Sequence, residues 1–472
     1  MSRLAPRTHT TWTLIVAALA VFMVTLDNLV VTTALPTIKA DLGASMESLE
    51  WTVNAYTLSF AVFLLTGAAL GDRFGRRRLF AGGLGVFTLA SLAAALAPTT
   101  EALVAARALQ GLGGSIVAPL SLTLLADAFP PERRGLALGV WSGVSGLGVA
   151  IGPLIGGAVV EGLSWQWIFG FNVPIGLVLV PLALRKLNES YGPDKTLDLK
   201  GAALASAGLF ALVHGLVRGQ SLGWTDELIV ASLAAGTLLV AAFVRHEIRT
   251  PEPMLPMRFF RSRAFAATNA AGLGMYFGMF GSTFLLSQFL QFGQGNSALQ
   301  AGLKMLTWTG AVMVISPIVG ALSTRIDGRR FIVAGLALQG AALAWMAITA
   351  DPATEYLTLV PSFVMAGAGM ALVFAPASEI LLGSVAERYA GKASGAANAI
   401  RELGGVFGVA ILASVFASNG SYASPEAFAD GLEPALWVGA GLLAAGALFA
   451  LAIPARARTA PASALELTPA AA

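Results

Sequence analysis

Long apolar segments with almost no charge recur along the whole chain. A transmembrane helix needs about 20 mostly apolar residues, and 56% of the 472 residues are hydrophobic while only 12% are charged. A soluble domain has about 25% charged residues, so this chain has too little charge to cover a water-exposed surface. The runs are unbroken, and backbone polar groups in lipid must bond within their own segment. The sequence therefore predicts an all-α integral membrane protein.

Fourteen segments meet this length requirement. They are residues 12–33, 51–70, 79–97, 101–126, 136–160, 165–184, 198–217, 227–244, 265–290, 299–322, 331–350, 356–383, 393–416 and 434–453. Basic residues concentrate in cytoplasmic loops. With the N-terminus inside, the outer loops contain only Lys39 and Arg218, and Arg107, Lys304 and Arg401 lie within spans. The other 24 of the 29 basic residues lie in inner segments, which supports fourteen spans with both termini in the cytoplasm.

A weak internal repeat divides the chain. Residues 68–78, after the second span, resemble residues 320–330, after the tenth, with one inserted residue in the second copy. Each copy is an inner turn between the second and third helices of a six-helix set, which predicts a 6+2+6 arrangement. The predicted parts are an N-terminal six-helix bundle (1–190), a two-helix linker with flanking loops (191–260), a C-terminal six-helix bundle (261–455) and a disordered cytoplasmic tail (456–472).

Several classes of function lack their required residues in this sequence. Cysteine is absent, which excludes disulfides, thiolate metal sites and a cysteine nucleophile, and the three histidines are far apart. Glycine-rich runs lie inside spans and lack the Lys-Ser/Thr ending of a nucleotide site. A membrane enzyme or receptor would need a catalytic cluster or a sizeable soluble domain. We therefore predict no enzymatic activity and no metal, organic cofactor or nucleic-acid partner.

Two opposite charges lie at equal depth in the first half. Asp27 is about six residues from the outer end of the first span, and Arg107 is about six residues into the fourth, so both lie roughly 9 Å deep. Ionisable residues within spans mark ion pathways or paired sites. If Arg107 approaches Asp27 in one state and withdraws in another, Asp27 becomes a proton-coupling switch. The alternative is a permanent pair that only locks two helices.

The second half contains another polar cluster, formed by Glu379, Arg401 and Glu402. Glu379 is near the inner end of the twelfth span, and the other two lie roughly 12 to 14 Å into the thirteenth. Arg401 is expected to reach one of the two carboxylates. The remaining carboxylate would then bind a cationic substrate or a second proton, and a fixed ion pair or inner gate is the alternative.

A set of polar and aromatic residues is predicted to line a substrate cavity. Mainly apolar pockets with a few polar groups bind drug-like molecules, and aromatic faces bind cations. Aromatic residues in spans also pack helices together or face lipid. The candidates are Asn54, Tyr56, Trp141, Asn172, Phe280, Phe284, Gln288 and Phe289.

Four motifs occur in the first half of the chain: LDNLVVTTALPTI at 26–38, GDRFGRR at 71–77, LVAARALQG at 103–111 and GVAIGPLIGG at 148–157. Together they resemble the motifs of a known family, the fourteen-helix drug:proton antiporters of the major facilitator superfamily. The resemblance covers nearly the whole chain. Four positions depart from the family pattern: Ala68 opens the loop motif in place of Gly, Thr324 replaces its acidic residue in the second copy, Gln166 replaces Arg, and Glu402 replaces Gln.

The resemblance assigns roles to these motifs. It implicates Asp27 and Arg107 in proton coupling, and it implies that Asp72, Arg73, Gly75 and Arg76 of the loop motif hold one transporter state and release another. The alternative for this loop is a basic turn that only sets topology.

The glycines and proline of the fifth span belong to the antiporter signature. They are Gly148, Gly152, Pro153, Gly156 and Gly157. Their spacing permits close packing and a local bend, and only the resemblance connects them with export.

The resemblance thus implies a multi-pass protein of the bacterial cytoplasmic membrane, working as a monomer and driven by the proton gradient. Its substrate would be a small hydrophobic molecule, most simply a cationic drug or antibiotic, exported by antiport. The alternative is a narrow-specificity exporter or importer of a single metabolite with the same fold.

Overall fold

Helices follow one another along the chain with short connections. The structure, a computed structural model, describes residues 7–191, 198–322, 326–385 and 389–455, and no strand occurs in these ranges. The α-helices are α1 (Arg7–Leu42), α2 (Met46–Phe74), α3 (Arg76–Ala95), α4 (Thr100–Ala128), α5 (Pro131–Gly162), α6 (Trp167–Gly170), α7 (Asn172–Lys186), α8 (Leu199–Leu222), α9 (Glu227–Arg249), α10 (Arg263–Gln288), α11 (Ala298–Leu322), α12 (Gly328–Thr349), α13 (Tyr356–Gly383), α14 (Ala390–Asn419) and α15 (Pro425–Ala450). The predicted tail (456–472) and Thr324 lie outside the described residues.

Side-chain caps mark the starts of several helices. Ser45 accepts a hydrogen bond from the amide of Ser48 at 3.1 Å, and Thr99 accepts one from Ala102 at 3.3 Å. Asp226 and Ser424 cap α9 and α15 in the same way. These side chains satisfy amides that have no partner within the helix, so short polar loops separate the long apolar segments.

The helices have the dimensions of membrane spans. Twelve of those in the described residues are long and apolar enough to cross a bilayer, and α2 adds a span bent by 49° between Met46–Leu64 and Thr66–Phe74. α5 contributes the shorter apolar stretch Ile151–Gly162. The prediction of an all-helical membrane protein is therefore confirmed at about twelve spans, and the count of fourteen and the orientation of the termini stay predictions.

The helices pack in a repeated pattern. In the first part α1 packs along α5, and α4 lies against both α2 and α3; in the last part α10 packs along α14, and α12 along α13 and α15. α2 contacts α14, and α5 contacts α11. The second and fifth helices of one predicted half thus meet the fifth and second helices of the other, as a parallel repeat requires.

α8 and α9 form a hairpin beside this assembly. α8 packs on α2 and α14, whereas α9 packs on α8 and on a short 3₁₀ turn, Met257–Arg261. α9 exposes most of its surface. The hairpin lies within residues 191–260, and the division of the chain into two bundles and a linker stays a prediction.

Candidate functional site

A buried ion pair joins α1 to α4. Asp27 and Arg107 are enclosed on all sides, and Nη1 of Arg107 donates a hydrogen bond to Oδ2 of Asp27. Nε of Arg107 also donates to the carbonyl of Thr52 on α2, 3.1 Å away. The two charges that the sequence places at equal depth are therefore in direct contact, and their role in proton coupling stays a prediction.

Amide side chains complete the shell around Asp27. Gln110 Nε2 and Asn172 Nδ2 donate to Oδ1 of Asp27 at 3.2 and 2.7 Å. Both amides also donate to Oγ of Ser91 on α3, at 2.8 and 3.3 Å. Asn172 therefore belongs to the Asp27 shell rather than to the predicted cavity, because α7 begins at this depth. Sequence reasoning missed Gln110 and Ser91, although Gln110 lies three residues after Arg107 and so on the same helix face.

Aromatic rings enclose the guanidinium group. The Cζ atom of Arg107 lies 4.3 Å from the ring centre of Tyr56 and 5.6 Å from that of Phe169. The hydroxyl of Tyr56 donates to the carbonyl of Val24 at 3.0 Å, so this predicted cavity residue forms the wall of the ion pair. A proton on Asp27 would remove the negative partner of a buried cation, so the predicted coupling would act through the position of α4 relative to α1.

The loop motif forms a network of ion pairs at the end of α2. Nε of Arg76 lies 2.8 Å from Asp72, and its Nη1 lies 2.6 Å from Asp127 at the end of α4. Arg73 is exposed, with its guanidinium 5.2 Å from the ring of Phe74. The network fastens the ends of α2, α3 and α4 to one another, which is compatible with the predicted gating role.

Gly75 lets α3 start directly after α2. Its φ of 105° favours glycine, and an added Cβ would lie 2.9 Å from the carboxylate carbon of Glu189. Glu189 accepts from the amide of Arg77 at 2.9 Å, next to the start of α3, where a carboxylate is stabilised by the helix dipole. Sequence analysis could not single out Glu189, because its partner lies 112 residues earlier in the chain.

The small residues of α5 face two different helices. A Cβ added at Gly148, Gly152 or Gly156 would meet α1, at 3.1 Å from the Phe22 carbonyl, 3.1 Å from Leu29 Cβ and 2.6 Å from the Val30 carbonyl. A Cβ added at Gly157 would meet the backbone of α11, at 2.8 Å from Leu299 Cα. The motif therefore packs α5 against its own half and against the other half.

Several contacts, here called the clasp, fasten the halves near the α1–α2 connection. Ser287 and Gln291 donate to the carbonyls of Thr32 and Thr33 on α1, at 3.1 and 3.0 Å. Glu161 at the end of α5 accepts from the hydroxyl of Ser297 at 2.6 Å and from the amide of Leu299 at 3.1 Å. Sequence reasoning missed these residues, because polar residues at helix ends have many ordinary uses.

Tyr422 adds a ring to the clasp. Nζ of Lys39 on α1 lies 3.0 Å from the centre of the Tyr422 ring, and the tyrosine hydroxyl donates to Gln288. Burial, and to a smaller extent the charge of Glu50, raises the pKa of Tyr422 well above its usual value. The hydroxyl therefore stays a neutral donor, and the lysine is held by a cation–π contact.

The predicted cluster of Glu379, Arg401 and Glu402 is not assembled. Glu379 is exposed, Arg401 is 8% exposed, and within the described chain neither glutamate forms an ion pair with Arg401. Arg401 and Glu402 are adjacent on α14, so their side chains leave the helix in different directions. Arg401 packs beside Gly272 of α10, and Glu402 lies within electrostatic range of Arg401, of Tyr56 on α2 and of Tyr276 on α10.

The other predicted cavity residues lie mainly in packed regions. Phe284, Gln288 and Phe289 are fully buried near the clasp, and Asn54 is fully buried with no partner for its amide among the described residues. Trp141 is half-buried and donates to Ser121 at 3.0 Å. Phe280 is 5% exposed and stacks on Tyr276 with ring centres 5.6 Å apart.

A small apolar cavity lies where both halves meet. It is lined by Leu29, Pro153, Met279, Thr283, Met305, Trp308, Thr309, Val312 and Met370. Within the described residues none of the eight cavity candidates lines this cavity, and their role in substrate binding stays a prediction. The lining combines α1 and α5 with α10, α11 and α13, so this cavity is shared by the two halves.

Comparisons with known proteins identify the family. The Major Facilitator Superfamily matches residues 17–409 and 268–468. The tetracenomycin C resistance and export protein of Streptomyces glaucescens is 35% identical over 425 residues, covering 89% of this chain and 79% of that protein. The cephamycin export protein CmcT of Amycolatopsis lactamdurans is 37% identical over 469 residues, covering 97% and 96%.

A solved structure shares the fold. The crystal structure of peptide transporter POT in complex with sulfate superposes with a TM-score of 0.69, at 16% identity, over 93% of this chain and 94% of that chain. This likeness concerns the fold alone. The family match and the two relatives show that the chain belongs to the Major Facilitator Superfamily.

Proposed function

We propose that the protein is a proton-coupled antiporter that exports hydrophobic, cationic drugs or antibiotics by alternating access. The observation that carries the proposal is the buried Asp27–Arg107 pair, whose charge balance changes when one proton binds. The relatives are named for resistance to antibiotics or their export, which favours export over import. The alternative is a transporter for a single metabolite.

The proposed cycle uses the two halves as rocking bodies. Fourteen spans in a 6+2+6 arrangement place both termini in the cytoplasm of a bacterium, and the clasp then lies at the outer face of the cytoplasmic membrane. In this cycle the arrangement with the clasp formed is the state that is closed to the outside. A proton that reaches Asp27 from outside weakens its hold on Arg107, and its release inside restores the pair. One charge moving through 100 mV supplies about 2.3 kcal/mol, with no cofactor, and a monomer suffices.

Glu402 is the residue that we propose binds the substrate's positive charge. Its Oε2 is buried and has no hydrogen-bond partner among the described residues. Tyr56 and Tyr276 lie within electrostatic range of Glu402, and aromatic rings bind organic cations. Tyr56 also touches the guanidinium of Arg107, so one side chain lies between the proposed proton site and the proposed cation site.

Transport measurements in liposomes test the function. We expect purified protein to move a fluorescent lipophilic cation only when a pH gradient is imposed, with protons flowing in the opposite direction. Cation fluorescence and internal pH are recorded together. Movement of the cation without proton counterflow would contradict antiport. A protein that ignores lipophilic cations but exchanges protons for one other solute would support the single-metabolite alternative.

Glu402→Gln is expected to change selectivity. The variant removes the negative charge and keeps the size of the side chain, so transport of a permanently charged cation should fall about tenfold or more, since 1.4 kcal/mol corresponds to a factor of ten. Transport of an uncharged analogue should change little. The matched control is Glu379→Gln, which alters an exposed carboxylate at the end of α13. Equal losses for charged and uncharged analogues would rule out Glu402 as the cation site.

A further inference from the structure

Two carboxyl groups meet at the base of the α8–α9 hairpin, far along the chain from Asp27. Asp198 caps α8, and its Oδ1 accepts from the amide of Gly201 at 2.8 Å and from Nε2 of His246 at 2.7 Å. Glu247, in the last turn of α9, is 2% exposed. Its Oε2 accepts from the amide of Leu255 at 2.7 Å. Each carboxyl group therefore uses one oxygen to hold a backbone amide.

The other oxygen of each group has no donor. Oδ2 of Asp198 and Oε1 of Glu247 are buried, and neither has a hydrogen-bond partner within the described chain. Both atoms lie against Gly201, where an added Cβ would be 2.7 Å from Oε1 of Glu247 and 2.8 Å from Cγ of Asp198. Two ionised carboxylates are acceptors only. A single proton between them would satisfy both oxygens and remove the repulsion of like charges.

The groups around Asp198 indicate which of the two carboxyl groups is ionised. Burial alone would raise the pKa of Asp198, but the Gly201 amide, His246 and Glu247 together bring it below its usual value. Asp198 is thus the ionised member, and Glu247 carries the shared proton. The groups facing the pair are His246 on α9, which is charged only when protonated, and Lys392 on α14, whose charge acts on Glu247. Arg258 on the 3₁₀ turn stacks on Tyr389, 4.6 Å from the ring centre.

The pair also connects the hairpin to the C-terminal half. Glu247 holds the amide of Leu255, in the segment that leads from α9 to α10. Lys392 of α14 donates to the carbonyl of Pro253 in the same segment at 3.2 Å. The path from α8 through Asp198, Glu247 and the 250–256 segment therefore ends on α14.

We propose that Asp198 and Glu247 form a proton-binding site, separate from the transport pathway, that docks the linker hairpin on the C-terminal half. Loss of the shared proton leaves two buried negative charges in contact, and the hairpin base opens. The site is independent of the proposed antiport, because none of its residues contacts Asp27 or Glu402 in the described structure.

Cysteine labelling measures the docking directly, because the native chain has no cysteine. Ala202 is buried at the hairpin base, and its neighbour Ala203 is exposed. Ala202→Cys and Ala203→Cys are made as two separate variants. The ratio of their labelling rates with a soluble maleimide cancels the pH dependence of the thiol itself. Between about pH 6 and pH 10 we expect the labelling rate at position 202, divided by that at position 203, to rise about tenfold or more. Each unit by which the pKa of the shared proton differs between the closed and the open base corresponds to a factor of ten.

Two amide variants provide the decisive comparison. Glu247→Gln and Asp198→Asn each replace the shared proton by an N–H donor, and Asn caps a helix as well as Asp does. Both should keep the labelling ratio low at every pH. A native ratio that does not vary with pH, or an amide variant that still responds like the native protein, would overturn the proposal. Loss of the response in His246→Gln together with its persistence in Glu247→Gln would make the histidine the sensor instead.

Discussion

Asp27→Asn is expected to abolish proton-coupled transport. Asparagine keeps the shape of the side chain and its contacts with the surrounding amides, but it cannot take up or release a proton. It also leaves Arg107 buried without its anion, and loss of one partner of a buried pair costs about 3 to 5 kcal/mol. Cation transport under a pH gradient should fall to background, and the unfolding temperature of the purified protein should drop.

A double variant separates the loss of coupling from the loss of stability. Asp27→Asn combined with Arg107→Gln removes both charges, so the unfolding temperature should recover while coupled transport stays at background. Asp41→Asn is the matched control on the same helix, where the new amide oxygen still accepts from Trp165, 2.7 Å away in the native protein. If Asp27→Asn transports and couples normally, the pair is only a lock, and Glu402 becomes the next carboxyl group to test.

Gly157→Ala is expected to hold the two halves apart at the clasp. The added Cβ would lie 2.8 Å from Leu299 Cα, and a backbone atom cannot rotate away as a side chain can. Overpacking of this kind costs about 1 to 3 kcal/mol, which corresponds to about a tenfold or larger shift of a two-state equilibrium. The state open at the clasp should gain population, and the transport rate should fall.

Distances between spin labels report this shift. Ala40 and Ala423 are exposed on opposite sides of the clasp, and each accepts a labelled cysteine in the cysteine-free chain. Gly157→Ala should populate longer distances than the native protein does. Gly143→Ala is the matched control on the same helix, since its added Cβ meets no atom within 4 Å. An unchanged distance distribution in Gly157→Ala would mean that α5 and α11 do not close the clasp.

The Asp27–Arg107 contact could be predicted because depth along a helix follows from counting residues. Two unlike charges at the same depth in one half have few other partners. The side from which Asn172 approaches could not be predicted in this way, because it depends on where α7 begins after the interruption at Phe171. Counting gives the height of a residue in the membrane, and helix packing decides which neighbours it faces.

The predicted second cluster fails for the same reason. Arg401 and Glu402 have nearly the same depth, but adjacent residues on a helix point in different directions. The predicted cavity residues show a related limit, because an aromatic side chain has the same appearance in the sequence whether it packs a helix or lines a pocket. Phe284 and Phe289 pack near the clasp, whereas methionines and Trp308 line the apolar cavity.

The proline of α1 determines how easily the clasp can be undone. Pro36 has no N–H, so the carbonyl of Thr32, four residues earlier, lacks its usual partner within the helix. Ser287 of the opposite half donates to that carbonyl instead. When the halves part, water takes the place of the serine, so the net cost is about 0.5 to 1.5 kcal/mol rather than that of an unpaired group. A carrier must visit both of its states many times each second, and a contact that water can replace keeps those states close in free energy.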